Sequence, residues 1–202
     1  MKRRVFQAAS DGNLTLLRGI LKRRSPLEVE HYLSATTNGR RPLNMACHNG
    51  HLAVAEYILK IFPAALETPG KVSLGGKYLR GLSPLCSAVF GGHLEVVKLL
   101  LSKGANINCK TAKYYTPLML ACLRGSLELV KYLVAHGADI NYVDPVGYTV
   151  LHEICRFPEK ATSLKAIMEC LICEGADVNI RNYQGKILIS PIQKIQITRL
   201  LL

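Results

Sequence analysis

The stretch that decides the fold is Thr116–Asn141, which reads TPLMLACLRGSLELVKYLVAHGADIN. Thr116 can cap a first helix with its hydroxyl group, and Pro117 suits the first helical position because a backbone N–H needs no partner there. Gly125 then turns the chain into a second helix. Gly137 falls where that helix ends, a place that favours a left-handed residue. The stretch therefore predicts two paired helices followed by a hairpin.

The same frame recurs on both sides of this stretch. The proline position of Thr-Pro-Leu recurs at a spacing of 33 residues, from Pro84 to Pro117 and from Pro117 to Val150. The glycine that ends the second helix recurs as Gly104 and Gly175. This period and pattern are typical of ankyrin repeats. We therefore predict an all-α fold, an ankyrin-repeat solenoid of about five to six helix–turn–helix units with hairpin loops and one enlarged finger.

The frame divides the chain into consecutive segments. They are an N-terminal cap (1–37), a repeat (38–67), the enlarged finger (68–81), repeats at 82–114 and 115–147, a repeat with an insertion (148–184) and a degenerate C-terminal unit (185–202). Ser25-Pro26-Leu27-Glu28 begins an extra turn of helix in the cap. The finger occupies the loop Thr68–Arg80, and the insertion lies between paired helices at Phe157–Ser163. The chain ends on Leu200-Leu201-Leu202, an apolar terminus that caps a stack poorly, so we expect a fragment or an isoform.

Composition limits the classes of partner. The 202 residues are 49% apolar and carry a formal net charge of +12, which suits nucleic acid, an anionic membrane surface or an acidic protein segment. The basic residues are scattered, so nucleic acid is not expected as the main ligand. No run reaches the roughly 18 apolar residues of a membrane span, and the N-terminus lacks a signal-peptide pattern. We expect a monomeric cytoplasmic protein that is also present in the nucleus.

The cysteines are expected to be structural. Seven cysteines, an odd number, in a chain that stays inside the cell argue against a disulfide framework. Cys47 and Cys122 follow the alanine of an inner helix and should pack in the core. Cys170-x-x-Cys173 has no second pair at zinc spacing, so no metal site is expected.

The histidines also occupy structural positions of the repeat, and no catalytic set accompanies them. We expect hydrogen bonding rather than metal binding or catalysis from His51, His93 and His152. The sequence shows no nucleophile–base–acid set, phosphate loop or paired carboxylates. We therefore expect no catalytic residues and no cofactor, and we predict that the protein is not an enzyme.

A more specific signal lies in the first two thirds of the chain. It is carried by Phe6–Asn13, Ser25–Leu33, Pro42–Tyr57, the long finger ending Lys77-Tyr78-Leu79-Arg80-Gly81, Tyr115–Leu118 and Ala121–Gly125. Over about residues 3–141 the chain resembles the feminization (Fem) family of ankyrin-repeat proteins, substrate receptors of cullin-RING ubiquitin ligases. The finger is the most specific feature, because ordinary ankyrin units lack it. The resemblance implies a groove that grips the C-terminal tail of a target protein.

Two departures from the family pattern alter what the resemblance implies. Family members that read a terminal arginine use acidic residues at positions that become Gly75 and Arg124 here. A positive Arg124 would repel a terminal arginine. The region that recruits the ligase through elongin is not recognisable before Leu202. Cullin-RING ligase subunits are therefore expected as partners only if a C-terminal region is missing from this sequence.

The predicted binding residues belong to the finger, the hairpin tips and the exposed side of inner helices, which together form the concave face of an ankyrin stack. They are Lys77, Tyr78, Arg80, Lys113, Tyr114, Tyr115, Arg124, Tyr148, Arg156 and Phe157. Tyrosine and arginine are frequent interface anchors. We expect a basic face that binds a target protein or a C-terminal peptide of acidic character. The alternative is a generic ankyrin scaffold or a nucleic-acid-associated adaptor, whose binding to nucleic acid would fall steeply with salt.

Overall fold

The computed structural model describes residues 1–74, 77–155 and 161–183. Successive helices follow one another in short helix–turn–helix pairs, so the predicted all-α ankyrin-repeat solenoid is confirmed. The chain divides into two compact units, Met1–Pro117 and Leu118–Leu202. The boundaries of the sequence-based segments stay a prediction, and the degenerate unit at 185–202 lies outside the described residues.

The first unit carries most of the described elements. They are α1 (Lys2–Ser10), α2 (Leu14–Leu21), α3 (Pro26–Ser34), α4 (Pro42–His48), α5 (Leu52–Ile61), a 3₁₀ helix (Pro63–Glu67), β1 (Gly70–Leu74), β2 (Lys77–Leu82), α6 (Pro84–Gly91) and α7 (Leu94–Ser102). The inner helix α4 packs against both α1 and α6, and the outer helix α5 packs against α2 and α7.

The second unit repeats the same arrangement with two helix pairs. Its elements are α8 (Pro117–Arg124), α9 (Leu127–Ala135), α10 (Val150–Cys155) and α11 (Ala161–Cys173). Helix α11 packs against α9 and α10.

Side-chain size explains which helices lie inside. The inner helices bury small residues such as Ala8, Ala46 and Ala88, all 0% exposed, which lets neighbouring helices approach closely. The outer helices contribute larger aliphatic side chains at helical spacing, such as Leu17 and Ile58, which are also fully buried. Among the described residues the buried core is therefore mainly aliphatic.

The turn glycines hold left-handed conformations, as the repeat frame predicts. Gly125 has φ of +78° between α8 and α9, and Gly137 has φ of +89° after α9. Gly12 combines such a φ (+72°) with close packing, because a β-carbon added there would lie 2.5 Å from Nδ1 of His51. His51 Nε2 lies 2.9 Å from the Ser10 carbonyl oxygen. The predicted structural role of His51 is thus confirmed.

Three local expectations change in the structure. Ser25 begins a nine-residue helix rather than one extra turn, and it is stabilised by a capping box with Glu28. The finger is a β-hairpin that continues to Leu82. The prediction that Ala161–Ser163 form an inter-helix loop is wrong, because these residues begin the 13-residue helix α11. The buried positions Leu164, Ile167 and Leu171 supply a helical apolar stripe that the glycine spacing alone did not reveal.

Within the described ranges, no helix has the length and apolar character needed to cross a bilayer. The same residues contain no group of three or more His, Cys, Asp or Glu side chains placed to hold a metal ion.

Candidate protein-interaction site

The finger is a two-stranded antiparallel hairpin. Lys71 pairs with Arg80, Val72 with Leu79 and Leu74 with Lys77, and the register shifts between Gly70 and Lys71. Strand β2 carries three of the predicted binding residues, namely Lys77, Tyr78 and Arg80. The finger is therefore a defined backbone element that presents these positions along one strand.

The buried amide of Asn44, on helix α4, holds the base of the finger. Its Nδ2 donates to the carbonyl oxygen of Leu82 at 2.8 Å and to Oγ of Ser87 at 3.3 Å. A β-carbon added at Gly70, where the hairpin begins, would lie 2.9 Å from Asn44 Cγ. Asn44 thus contacts both ends of the hairpin, and a larger residue at Gly70 would displace it.

Arg41, the residue before α4, gives a second attachment. Its Nε donates to the carbonyl oxygen of Pro69 at 2.9 Å, and its guanidinium also donates to the carbonyl oxygen of Ser34. The start of α4 therefore links the end of α3 to the chain that enters the finger. The sequence analysis missed Arg41 and Asn44. The sequence shows only that Arg41 stands at the threonine position of the Thr-Pro-Leu frame and that Asn44 stands at the fourth position, where His152 lies in a later repeat.

The exit of the finger packs against the next hairpin loop. Gly81 has φ of +71°, and a β-carbon added there would lie 2.8 Å from the backbone nitrogen of Ala112. Ala112 belongs to the loop that carries Lys113, Tyr114 and Tyr115. The structure therefore brings six predicted binding positions, three on β2 and three on this loop, into one region of the first unit.

Thr111 organises that loop, which is called the first tip (residues 111–115). Its amide donates to the Tyr115 carbonyl oxygen at 3.0 Å, and its Oγ1 accepts from the amides of Lys113 at 3.3 Å and Tyr115 at 3.1 Å. Tyr114 has φ of +63° and is 51% exposed. The loop thus presents Lys113 and Tyr114 to solvent, whereas Tyr115 is half-buried.

The remaining predicted residues lie in or beyond the second unit. Arg124 is exposed at the C-terminal end of α8. Tyr148 is half-buried in the second tip (residues 144–148), where its ring meets His152 edge-on at 5.6 Å. Arg156 and Phe157 lie outside the described residues.

His152 makes the structural bonds expected of it. Its Nδ1 accepts from the Thr149 amide at 3.1 Å and lies 2.7 Å from the Thr149 hydroxyl. Burial lowers the pKa of His152, and the Asp144 carboxylate opposes that shift. The core prediction for Cys47 and Cys122 is confirmed too, because both are 0% exposed and burial raises the pKa of each thiol.

Charge is distributed unequally between the two units. Met1–Pro117 contains 17 lysine and arginine residues against six aspartate and glutamate residues, whereas Leu118–Leu202 contains nine against eight. Nearly all of the net positive charge therefore belongs to the unit that carries the finger and the first tip. The sequence analysis predicted a basic face but missed this asymmetry.

Exposed apolar residues mark a different surface in the second unit. Val143, Val146 and Tyr183 are 37%, 51% and 76% exposed, respectively. A β-carbon added at Gly147 would lie 2.6 Å from the backbone nitrogen of Tyr183, so two successive tips are adjacent there. None of these three residues was predicted as a binding residue, although Val143 and Val146 lie on either side of the turn residues Asp144 and Pro145.

Comparisons with known proteins agree with this architecture. The family model described as "Ankyrin repeats (3 copies)" matches residues 5–111 and 85–182. The chain is 42% identical over 107 residues to "Protein fem-1 homolog CG6966" of Drosophila melanogaster, covering 53% of this chain and 16% of that protein. It is 41% identical over 111 residues to "Protein fem-1 homolog C" of Homo sapiens, covering 55% of this chain and 18% of that protein.

A third relative, "Protein fem-1 homolog A" of Rattus norvegicus, is 36% identical over 107 residues, which cover 53% of this chain and 16% of that protein. These matches confirm the predicted resemblance to the Fem family. The matched part of the chain spans less than a fifth of the length of these relatives.

Proposed function

The chain belongs to the ankyrin-repeat family, and we propose that it binds an acidic C-terminal tail of a target protein on the surface formed by the finger and the first tip. Ankyrin repeats indicate a protein-interaction module without catalytic activity. The observation that carries the finer proposal is the close packing of the finger exit against the first tip, within the unit that holds most of the positive charge.

The chemistry of the first tip favours an acidic ligand. Lys113 is exposed beside the half-exposed ring of Tyr114, and strand β2 with its three predicted binding positions ends against the same loop. An ammonium group attracts a carboxylate, while an aromatic ring adds contact area at low conformational cost. A peptide with acidic residues near its end matches both features.

Arg124 is assigned as the residue that pairs with the terminal carboxylate or with a penultimate acidic side chain. It is exposed at the end of an inner helix, and a guanidinium can bind a carboxylate through two parallel hydrogen bonds. A partly desolvated pair of this kind is worth about 1–3 kcal/mol, more than an open surface pair. A ligand ending in arginine would be repelled at the same place.

The cellular role proposed with this activity is substrate recognition for a cullin-RING ubiquitin ligase, in the cytoplasm and nucleus. The similarity to Fem-1 homologs supports it.

The test is isothermal calorimetry with two peptides that differ only in their last residue, aspartate or arginine. We expect the acidic peptide to bind about tenfold more tightly, and Arg124→Asp to abolish or reverse that preference. Lys131→Asp on the outer helix α9 makes the same charge change at an exposed position and should leave the preference intact. Equal affinities for the two peptides, unchanged by Arg124→Asp, would remove Arg124 from the proposal.

Salt dependence distinguishes the adaptor alternative. A nucleic-acid-associated protein should bind single- or double-stranded DNA with an affinity that falls steeply and linearly with log salt. The tail-binding proposal predicts instead that binding depends on the terminal residue of the peptide. Strong, salt-sensitive DNA binding together with no peptide binding would favour the alternative.

A further inference from the structure

Two cysteines of the first unit lie in contact at a point that the proposed function does not use. Sγ of Cys86, on the inner helix α6, is 3.5 Å from Sγ of Cys109, in the segment between α7 and the first tip. They are 23 positions apart in the sequence. Cys86 is fully buried, whereas Cys109 is partly exposed. Cys109 is therefore the more accessible residue of the pair, and Cys86 is shielded from solvent.

The surroundings favour the thiolate of Cys109. The hydroxyl of Ser83 lies 3.1 Å from Cys109 Sγ and accepts the amide N–H of Cys86 at 3.1 Å. Hydrogen bonding with the Cys86 thiol lowers the pKa of Cys109, while partial burial and the Glu67 carboxylate oppose the shift. The same interaction and burial raise the pKa of Cys86. The greater exposure of Cys109 and the directions of these two pKa shifts both favour Cys109 over Cys86 as the nucleophile.

We propose that Cys86 and Cys109 form an oxidisable pair that hydrogen peroxide converts to a disulfide, with Cys109 reacting first. The thiolate of Cys109 attacks one peroxide oxygen, the O–O bond breaks, and the leaving hydroxide takes up a proton to become water. Cys109 is oxidised by two electrons to a sulfenic acid. The Cys86 sulfur then loses its proton and attacks the Cys109 sulfur, and the S–O bond breaks to release a second water as the S–S bond forms.

The full or partial burial of most other cysteines makes the disulfide between Cys86 and Cys109 the preferred oxidation product. Cys47 and Cys122 are fully buried with raised pKa values, so they are poor nucleophiles and poorly accessible. Burial also raises the pKa of Cys155 and of Cys170. Cys173 is exposed and is the main competitor for peroxide.

The disulfide would fasten the inner helix α6 to the segment that leads into the first tip. Cys109 precedes Thr111 by two residues, and Thr111 holds the tip through its side-chain and backbone hydrogen bonds. A bond from Cys109 to α6 closes a loop that contains all of α7. Closing this loop restricts the unfolded chain, so the oxidised protein should unfold at a higher temperature than the reduced protein.

The test uses reduced, purified protein treated with hydrogen peroxide, followed by denaturation, alkylation of remaining thiols with iodoacetamide, and non-reducing peptide mass spectrometry. We expect a cross-linked peptide joining Cys86 to Cys109, lighter by two hydrogen atoms than its reduced components. Cys86→Ala should stop at the sulfenic acid of Cys109, which dimedone traps, and Cys109→Ser should give no cross-link to Cys86. The double variant Cys170→Ser/Cys173→Ser should still form the cross-link, because it removes only competing thiols.

Thermal unfolding gives a second readout that does not depend on peptide recovery. The unfolding midpoint of the wild type should rise after oxidation and return after treatment with dithiothreitol, whereas that of Cys86→Ala should not rise. Circular dichroism at room temperature checks that both single variants fold. Alkylation of both Cys86 and Cys109 after peroxide treatment, with oxidation elsewhere in the chain, would overturn the proposal.

Discussion

The first tip (residues 111–115) and the second tip (residues 144–148) have the same hydrogen-bond pattern but different surfaces. In each tip the backbone N–H of the first residue donates to the carbonyl oxygen of the fifth, at 3.0 Å for Thr111 and 2.9 Å for Asp144. In each tip a side-chain oxygen of the first residue accepts from the amides two and four positions later. The exposed residues are Ala112, Lys113 and Tyr114 in the first tip, but Pro145 and Val146 in the second.

The residues that fix the backbone of a tip are thus different from the exposed side chains that a ligand would contact. The backbone needs an oxygen at the first position, which either threonine or aspartate supplies. It also needs a positive φ at the fourth position, +63° at Tyr114 and +90° at Gly147. Glycine is needed only at Gly147, because the backbone of Tyr183 lies against it. The exposed third position needs neither property, so it can be a lysine in one repeat (Lys113) and a valine in another (Val146).

Adding a side chain at Gly147 should have the largest effect. In Gly147→Ala the new β-carbon would clash with the backbone of Asn182 and Tyr183 in addition to straining φ. We expect a loss of about 3 kcal/mol in the free energy of unfolding. The matched control is Gly137→Ala, where φ is +89° and nothing lies within 4 Å, so only about 1 kcal/mol should be lost.

Urea denaturation followed by circular dichroism measures both losses under the same conditions. Tyr114→Gly provides the converse test in the first tip, because it relieves a positive φ and should change the unfolding free energy by less than about 1 kcal/mol. Equal losses for the two alanine variants would mean that the packing of the second tip against Tyr183 contributes nothing.

Removing the side-chain oxygen should have an intermediate effect that differs between the tips. Asp144 accepts at 2.9 Å and 2.8 Å, and a charged acceptor makes stronger bonds than the Thr111 hydroxyl, which accepts at 3.3 Å and 3.1 Å. We expect Asp144→Ala to lower the unfolding free energy by about 2 kcal/mol and Thr111→Val by about 1 kcal/mol. Asp144→Asn retains the oxygen and should fall between the wild type and the alanine variant. A larger loss for Thr111→Val than for Asp144→Ala would contradict this ranking.

Local residues made the repeat frame predictable from the sequence. The turn at Gly125 and the helix end at Gly137 each depend on a short motif, and both appear in the structure with the expected positive φ. The role of the residue at the fourth position of the Thr-Pro-Leu frame was not predictable in the same way. This position holds Asn44, Cys86, Met119 and His152 in successive repeats. Asn44 bonds to Leu82, 38 positions away, and no local motif encodes such a partner.

The candidate site was predictable only in part for a related reason. The insertion in the period located the finger, but its β-hairpin depends on pairing and on attachment to Arg41 and Asn44. Contact between the finger exit and the first tip follows from the glycine at Gly81, whose close approach to Ala112 has no sequence signature of its own. The individual binding residues stay a prediction, since exposure and charge do not identify a ligand.

The smallest expected effect is a pH dependence confined to the second tip. His152 follows this tip and contacts Tyr148, whereas the equivalent position after the first tip is Met119, which does not titrate. Burial holds the pKa of His152 below its ordinary value of about 6.5. Below about pH 6.5 the histidine side chain is protonated in the unfolded chain, whereas in the folded protein His152 stays neutral until the pH approaches its lower pKa. Stability is therefore fully present above about pH 6.5 and falls as the pH decreases toward the folded pKa of His152.

NMR titration of the His152 ring measures its pKa directly, and urea denaturation at several pH values measures the slope of stability. Asp144→Asn removes the carboxylate that opposes the shift, so the pKa of His152 should fall further. His152→Met copies the residue found at Met119. It should lower stability at every pH, because the bonds to Thr149 are lost, but it should also reduce the decline in stability below pH 6.5. An unchanged slope in this variant would assign the pH dependence to other groups and leave the two tips alike in their response to acid.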